Sequence, residues 1–392
     1  MKSFLRFCGL AIVFSVIIAA SVAAWGYYTL RSALEQPLQV ELVQNLDVPS
    51  GSSPARILAQ LEQQGVLHSS AWLRRYWQWQ KPDAVLQVGE YVMEPGMTAN
   101  DLLHRLASGS VLQRSVTLVE GWTFKQVREQ LSRAERLQQT LEPDWSMEQV
   151  MEALGLEGIH AEGQFFPDTY QYTFGMSDRD ILLRAYQRMQ RVLEEAWESR
   201  AEDLPISSAY EALILASIIE RETGVPHERG EIAGVFTRRL QIGMRLQTDP
   251  TVIYGMGDEY EGRIRLRHLR QPTPYNTYTI DGLPPTPIAM PGREAIMAAV
   301  NPEDGSSLYF VARGDGSHIF SNNLQEHNRA VRRFQIEQRA ADYRSSPAPI
   351  PAPTVEEADV EDAPVVEESA DTAEAEAVET VEEGDELEEA EQ

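Results

Sequence analysis

The longest apolar pattern in this sequence lies at its start. Residues 7–30 are twenty-four consecutive uncharged positions, and Lys2 and Arg6 precede them. As a helix, a run of that length can cross the hydrocarbon core of a bilayer. Because basic residues favour the cytoplasmic side, we predict a transmembrane helix over 7–30, a cytoplasmic segment over 1–6 and export of the remaining chain.

The residues at the end of this apolar run indicate whether the helix is retained as a membrane anchor or cleaved as a signal peptide. Trp25, Tyr27 and Tyr28 lie where an aromatic belt would meet the membrane interface. The small residues at 22–24 would also suit a signal-peptide cleavage site, which is the alternative. The apolar run is long for a signal peptide, so we predict an anchor.

Three segments after the anchor each contain a strand-like stretch, a turn and a helix with one apolar face. They occupy residues 40–67, 88–109 and 115–131. In the second segment, Thr98 suits a helix N-cap and Gly109 suits the C-terminal end. We predict that the three form a small α+β module over residues 39–130.

Residues 131–344 show mostly helical spacing of apolar side chains and end in a hairpin and a last helix. Asp315 and Gly316 form a turn signal between two alternating stretches. We predict a mixed α/β domain built around a helix that begins at Ser208 and bears two glutamates. Further helices are predicted over 178–200, 231–241 and 324–340.

Negative charge is concentrated at the C-terminus. The chain has a formal net charge of −26, and residues 345–392 hold eighteen acidic side chains and no Lys or Arg. Clustered proline and high charge leave this segment too little apolar surface to offset the entropy of ordering, so we predict a disordered tail. The rest of the chain has no basic stripe, which argues against a nucleic-acid partner. The single cysteine, Cys8, lies in the apolar run, so disulfides and thiol chemistry are excluded from the exported part.

Carboxylates are the remaining candidates for chemistry. The sequence lacks G-x-S-x-G, a P-loop, G-x-G-x-x-G and a histidine pair with zinc spacing, so no metal and no cofactor is predicted. The segment ASIIERETG, residues 216–224, places Glu220 and Glu222 two positions apart after an apolar run. On a helix these positions point about 200° apart, so the two acids cannot act together on one bond.

Glu222 is the stronger candidate for a general acid. It continues the line of Leu215, Ile218 and Ile219, whereas Glu220 continues a smaller and more polar line. An acid at the end of an apolar stripe is partly desolvated, which raises its pKa towards the value that a general acid needs near neutral pH. An ordinary solvated or salt-bridged glutamate is the alternative.

Five motifs, in order along the chain, resemble the YceG-like family of endolytic murein transglycosylases. They are EGQFFPDTY, ASIIERET, VFTRRLQIGMRLQTDPTVIYG, YNTYTIDGLPPTPIAMPG and LYFVARGDGSHIFSNNLQEHN, and the resemblance covers about residues 40–338. It implies an inner-membrane enzyme facing the periplasm that cleaves the MurNAc-β-1,4-GlcNAc bond within nascent peptidoglycan strands and leaves 1,6-anhydro-MurNAc ends. It also implies a LysM-like N-terminal module, a role in terminating strand elongation and peptidoglycan synthases as partners.

The resemblance further assigns roles to residues. The catalytic glutamate of the family falls in IIERET and is placed on Glu222, with Glu220 as the second choice. One carboxyl would serve as acid and then as base, so neither water nor a second carboxylate would be required, unlike in the usual glycosidase. Glu162 and Asp168 of EGQFFPDTY are expected to be structural. Residues of two long loops would bind sugar through hydrogen bonds and flat faces, namely Gln247, Thr248, Asp249, Tyr254, Tyr275, Asn276 and Thr277.

Two other functions stay open at this point. A lysozyme-type hydrolase would use the same glutamate to deliver water and would need a second carboxylate or a positioned water, and Asp249 or Asp168 could be that carboxylate. A non-catalytic module that binds glycan and recruits synthases would need only residues 39–130.

Overall fold

The structure, a computed structural model, describes residues 2–80 and 86–337. The predicted acidic tail over 345–392 and the final residues of the last predicted helix lie outside the described residues. In the part that is described, the chain is mixed α+β, with three antiparallel strand pairs and three apolar cores.

The apolar run at the start forms helix α1, Lys2–Leu34. Its stretch Gly9–Leu34 contains a window of 18 residues with a mean hydropathy of 2.1, and no residue of that window is buried by other parts of the protein. An uncovered helix of this length and composition is compatible with a single-pass membrane anchor. The last turn of α1 packs against the first core through Ala33 and Leu34, which joins the helix to the folded body.

The first core lies between a strand pair and three helices. Strand β1 (Gln44–Val48) runs antiparallel to β2 (Gly89–Met93), and buried Leu46 lies opposite buried Tyr91. The predicted N-cap is confirmed, because the Thr98 side chain accepts a hydrogen bond from Asp101 N. The helices are α2 (Pro54–Gln63), α3 (Ala71–Gln80) and α4 (Ala99–Ser108).

The second core joins segments that are far apart in the sequence. Strand β3 (Arg114–Thr117) runs antiparallel to β4 (Thr169–Tyr172). The change from the first core to the second falls between residues 111 and 116, because β3 pairs forward along the chain. The helices around this pair are α5 (Phe124–Ser132), α6 (Met147–Ala153) and the first half of α7 (Asp178–Glu198).

The third core surrounds α8, Ala209–Glu222. Every residue from 212 to 219 is buried, as expected for a helix that is apolar on all faces and therefore lies inside a domain. The predicted glutamate-bearing helix is thus the centre of this domain. Its helical neighbours include the second half of α7, α9 (Arg229–Gln241) and α12 (Arg293–Val300).

Shorter elements and a hairpin complete the domain. The predicted hairpin is confirmed, since β5 (Tyr309–Ala312) runs antiparallel to β6 (His318–Ser321). Between α9 and α12 lie α10 (Asp249–Met256) and α11 (Leu266–Arg270). After the hairpin come α13 (Leu324–Val331) and a π-helical turn, Arg332–Glu337.

Gly163 is constrained by both its backbone and its surroundings. Its φ is +81°, and a Cβ atom there would lie 2.5 Å from Pro287 Cβ. We expect Gly163→Ala to lower the free energy of unfolding by about 2–4 kcal/mol, because left-handed strain and a steric clash add together. Gly158→Ala is the matched control, since φ is +79° there and no atom lies within 4 Å. Denaturant unfolding measures both, and equal losses would contradict the clash.

Candidate functional site

Glu222 is the last residue of α8, and the sequence explains why the helix ends there. Thr223 has extended backbone, with φ −138° and ψ 138°, and Pro226 follows shortly after. Proline lacks the N–H that a helix needs. Thr223 Oγ1 accepts a hydrogen bond from Val225 N at 2.9 Å, which directs the chain away from the helix axis. The Glu222 carboxyl therefore stands at the end of a buried helix.

Glu220 and Glu222 have different partners, as their spacing predicts. The Glu220 side chain is 6% exposed, its Oε2 accepts from Gly292 N at 3.0 Å, and its Oε1 lies 3.7 Å from Arg229 Nη2. Glu222 is half-buried, and its Oε1 accepts a hydrogen bond from the hydroxyl of Thr248. Both oxygens of Glu220 therefore have protein partners, whereas Oε2 of Glu222 has no hydrogen-bond partner among the described residues.

Burial raises the pKa of Glu222 to about 7, because it disfavours the charged form of the carboxyl. The negative charge of Asp249 raises this pKa further. The hydrogen bond from Thr248 lowers it, as do the positive charges of Arg239 and Arg221. A carboxyl with such a pKa is protonated in a substantial fraction of molecules at neutral pH, so it can both donate and accept a proton.

Thr248 is held in place by a buried cluster of threonines. Its backbone N–H donates to Thr277 Oγ1 at 3.0 Å, and Thr251 Oγ1 lies 2.9 Å from the same oxygen. Gln247 has φ +50°, which is uncommon for a residue with a side chain, and its N–H donates to Thr277 O at 3.2 Å. These bonds fix the loop so that the Thr248 hydroxyl reaches Glu222.

Three of the residues predicted to bind sugar are buried. Thr248, Asn276 and Thr277 are each at most 2% exposed. Asn276 Nδ2 donates to the carbonyl oxygen of His268 at 3.1 Å and to that of Gln271 at 2.7 Å. The polar atoms of these three side chains bond protein groups and so brace the surrounding loops.

Four other predicted binding residues keep accessible surface. Gln247 and Asp249 are exposed, and Tyr254 and Tyr275 are half-buried. The two tyrosine rings pack edge to face with centroids 4.9 Å apart. Asp249 Oδ1 accepts a hydrogen bond from the Tyr278 hydroxyl at 2.7 Å, which adds a residue that the sequence-based site did not include. These groups offer the flat faces and hydrogen-bonding atoms that a sugar requires.

Glu162, which was expected to be structural, is tied to the tyrosine pair. It is 1% exposed, its Oε1 accepts from Phe124 N at 2.9 Å, and its Oε2 accepts from the Tyr254 hydroxyl at 3.1 Å. Burial raises the pKa of Glu162 to about 7. The neighbouring Tyr275 hydroxyl lies 2.8 Å from Thr286 Oγ1. Glu162 therefore links α5 to α10 and fixes the orientation of Tyr254.

Arg239 is a supporting residue that sequence reasoning missed. It is buried, and its guanidinium donates to the carbonyl oxygens of Leu308 and Leu246, each at 2.6 Å. The burial of Arg239 lowers its own pKa, and its positive charge acts on Glu222. Its position could have indicated burial, because Arg239 lies at helical spacing with the apolar side chains of α9.

Glu228 and His318 form a buried hydrogen-bonded pair that could not be predicted from the sequence. Glu228 Oε1 accepts from His318 N at 2.8 Å, and its Oε2 lies 2.8 Å from His318 Nδ1. The same Oε2 accepts from Thr223 Oγ1 at 3.3 Å. The hairpin is thereby attached to the residue that follows Glu222.

The acidic side chains of the site are paired with donors and are not gathered around a common point. Glu162 and Glu222 accept hydrogen bonds from the hydroxyl groups of Tyr254 and Thr248. Within residues 2–80 and 86–337, no group of three or more His, Cys, Asp and Glu side chains is placed to hold a metal ion.

Comparisons with known sequences agree with one another. The YceG-like family model matches residues 46–333. An endolytic murein transglycosylase of Bacillus subtilis (strain 168) is 29% identical over 314 residues, which cover 74% of this chain and 84% of the relative. One from Streptococcus pneumoniae serotype 2 (strain D39 / NCTC 7466) is 25% identical over 353 residues, which cover 81% of this chain and 63% of the relative. The chain thus spans less than two thirds of the streptococcal protein.

A solved structure is also similar. The 2.6 Å crystal structure of the yceG-like protein lmo1499 from Listeria monocytogenes is 27% identical in sequence and has a TM-score of 0.46. The match covers 74% of this chain and 99% of the crystallised one.

Proposed function

This chain belongs to the YceG-like family, and we propose that it is an endolytic lytic transglycosylase that cleaves the MurNAc-β-1,4-GlcNAc bond of peptidoglycan. Relatives named endolytic murein transglycosylases support the proposal. The observation that carries it is the Glu222 carboxyl, which stands at the end of a buried helix, has a pKa of about 7 and has one oxygen fixed by Thr248.

In the first step Glu222 acts as an acid. Because Oε1 accepts the hydrogen bond from Thr248, Oε2 is left to carry the proton to the glycosidic oxygen. The bond between C1 of MurNAc and that oxygen breaks, and the departing GlcNAc keeps the proton as a hydroxyl. Positive charge develops at C1, and the Glu222 carboxylate faces this oxocarbenium-like centre.

In the second step the same carboxylate acts as a base. It takes the proton from the C6 hydroxyl of the same MurNAc, and O6 bonds to C1 to close the 1,6-anhydro ring. One carbon–oxygen bond has been broken and one formed, and Glu222 is protonated again without the entry of water. A pKa of about 7 suits both steps, because neither form of the carboxyl is strongly disfavoured at neutral pH.

The remaining site residues divide into two roles in this proposal. Thr248, Asn276 and Thr277 position the loops and the catalytic carboxyl. The accessible groups contact the strand through stacking and hydrogen bonds, and they are Gln247, Asp249, Tyr254 and Tyr275.

Glu162 positions the Tyr254 hydroxyl, and its removal is expected to weaken strand binding. We expect Glu162→Gln to raise KM about three- to tenfold with a smaller change in kcat, since an ordinary hydrogen bond contributes about 0.5–1.5 kcal/mol. Tyr254→Phe removes the same bond from the other side. Because the two changes break one interaction, the double variant is expected to be less impaired than the product of the single effects. Fully independent effects in steady-state kinetics would contradict a shared role.

We place the enzyme in the inner membrane with α1 as its anchor and its body on the periplasmic side. Lys2 and Arg6 before the apolar span favour this orientation. The first core is proposed to be a LysM-like module that holds glycan. Peptidoglycan synthases are the proposed partners, and cleavage of their nascent strands would terminate elongation.

A lysozyme-type hydrolase is the second candidate, and one observation favours it. Asp249 is close enough for its charge to act on Glu222, so it could serve as the second carboxylate of a hydrolase. Asp168, the other acid considered for this role, is paired with Arg188 of α7.

Digestion of uncrosslinked glycan strands by the full-length chain in detergent micelles tests the proposal. We expect new anhydro ends and fragments of intermediate length, because an endolytic cut falls within the strand. Release of terminal disaccharides alone would contradict endolytic cleavage. Binding of strands without any cleavage would instead favour the recruiting module.

A further inference from the structure

Helix α3 has an aromatic and basic face that takes no part in the proposed catalytic site. Leu73 and Trp77 are buried in the first core, whereas Trp79 is 77% exposed. The Arg75 guanidinium lies over the ring of Trp72, with its carbon 5.3 Å from the ring centroid. Residues three or four positions apart share a side of a helix. The α3 face is formed by Trp72, Arg75, Tyr76 and Trp79.

Contacts between α3 and α1 locate this face along the membrane helix. Gln36, just beyond α1, donates from Nε2 to Ser69 O and accepts at Oε1 from His68 N, each at 3.1 Å. Only three residues after Ser69, Trp72 packs edge to face on Trp25, with ring centroids 6.0 Å apart. Gln36 and Trp25 lie about 15 Å apart along a helix, and three residues of chain span at most about 11 Å. The chain entering α3 therefore runs beside α1 from Gln36 towards Trp25, and the two indole side chains span the remaining distance.

Trp25 marks the edge of the apolar span. A hydrocarbon core of about 30 Å takes about 20 helical residues. A span that begins after Arg6 therefore ends close to Trp25, at the interface where tryptophan is enriched in membrane proteins. Because α3 begins at this level and packs along α1, its first turns, with Trp72 and Arg75, lie beside the same layer.

We propose that the α3 face binds the phospholipid headgroup layer of the bilayer that α1 crosses, and so seats the first core on the membrane surface. An indole ring suits this layer, since its body is apolar and its N–H is a hydrogen-bond donor. Arg75 supplies a positive charge for lipid phosphate. The proposal rests on the proposed anchor and is independent of catalysis. This contact holds the folded body at a fixed height above the membrane.

Immersion depth in a bilayer tests this arrangement. The full chain with Cys8→Ser is placed in nanodiscs of phosphatidylethanolamine and phosphatidylglycerol, and single nitroxide labels are attached through Trp79→Cys, Glu194→Cys or Val16→Cys. Position 194 is an exposed helical site on α7, and position 16 lies within the apolar span. Collisions with oxygen and with a water-soluble nickel chelate are measured by power saturation.

We expect the label at position 79 to lose most of its nickel collisions relative to the label at 194, and the label at 16 to lose nearly all of them. Equal nickel collisions at 79 and 194, with 16 protected, would overturn the seating of α3 while leaving the anchor intact. An unprotected label at 16 would overturn the anchor and the seating together. Because this readout needs no glycan, failure of the catalytic proposal would not alter it.

A second measurement avoids the replacement of Trp79 by cysteine and keeps an aromatic ring at position 79 throughout. The fluorescence of Trp79 is obtained as the difference between the full-length chain and its Trp79→Tyr variant, both in nanodiscs. We expect lipids brominated near the headgroup to quench this difference and aqueous acrylamide to quench it poorly. Quenching by acrylamide alone would overturn the proposal.

Discussion

Glu222→Gln is expected to lower the rate of strand cleavage by about 10³–10⁴-fold. Glutamine keeps the size of the side chain and can still accept the hydrogen bond that Thr248 gives to Oε1. It cannot protonate the leaving oxygen or take the proton from the C6 hydroxyl. Because one carboxyl serves both steps, a single substitution removes both. Rates at saturating strand concentration measure the loss, and an unchanged unfolding curve shows that the fold is retained.

Glu220→Gln is the matched control, since it makes the same chemical change two residues away. The Glu220 side chain is 6% exposed, accepts from Gly292 N and lies 3.7 Å from Arg229 Nη2. Its replacement is therefore expected to cost about 1–3 kcal/mol of stability and to leave most of the cleavage rate. A greater loss of rate from Glu220→Gln than from Glu222→Gln would contradict the assignment and transfer the acid to Glu220.

Cleavage is also expected to slow about tenfold for each pH unit above about pH 7, because the first step requires a protonated carboxyl. Burial raises the pKa of Glu222 from 4.5 to about 7 in the folded protein. The active form is thus present at neutral pH and is lost as the pH rises through the folded-state value. At about pH 9 the rate should lie about 100-fold below its plateau. Initial rates at saturating strand concentration, measured across this pH range, give the profile.

Thr248→Val connects this pH profile to Glu222. The Thr248 hydroxyl lowers the pKa of Glu222, so its removal should move the alkaline limb to higher pH. The maximum rate should also fall, because the carboxyl loses the bond that orients it. Valine has nearly the shape of threonine, and the backbone N–H that donates to Thr277 is kept. An alkaline limb that stays in place would show that another group controls it.

Local features of this fold could be predicted from sequence because their causes lie within a few residues. Thr98 caps α4 and Ser208 caps α8 through bonds to backbone N–H groups three positions ahead. The opposite directions of Glu220 and Glu222 likewise follow from helical periodicity alone.

Features that depend on distant partners could not be predicted. Glu162 and Tyr254 are 92 positions apart, so nothing local shows that the carboxylate orients the tyrosine. The side-chain amide of Asn276 can donate hydrogen bonds to a sugar or to a carbonyl group of the same chain. The residue type alone does not show which of these is its partner. The pairing of β3 has the same origin, because its partner strand lies more than fifty residues later.

Cleavage in water enriched in oxygen-18 tests most directly whether the ring closes without water. In the proposed reaction both atoms of the new bond, C1 and O6, come from the same sugar, so no solvent oxygen enters the product. Mass spectrometry of new ends made by the full-length chain should show unlabelled 1,6-anhydro-MurNAc, and Glu222→Gln should make none. New ends that carry one oxygen-18 atom and a free reducing group would contradict the mechanism and establish a hydrolase, with Asp249 as the first candidate for its second carboxylate.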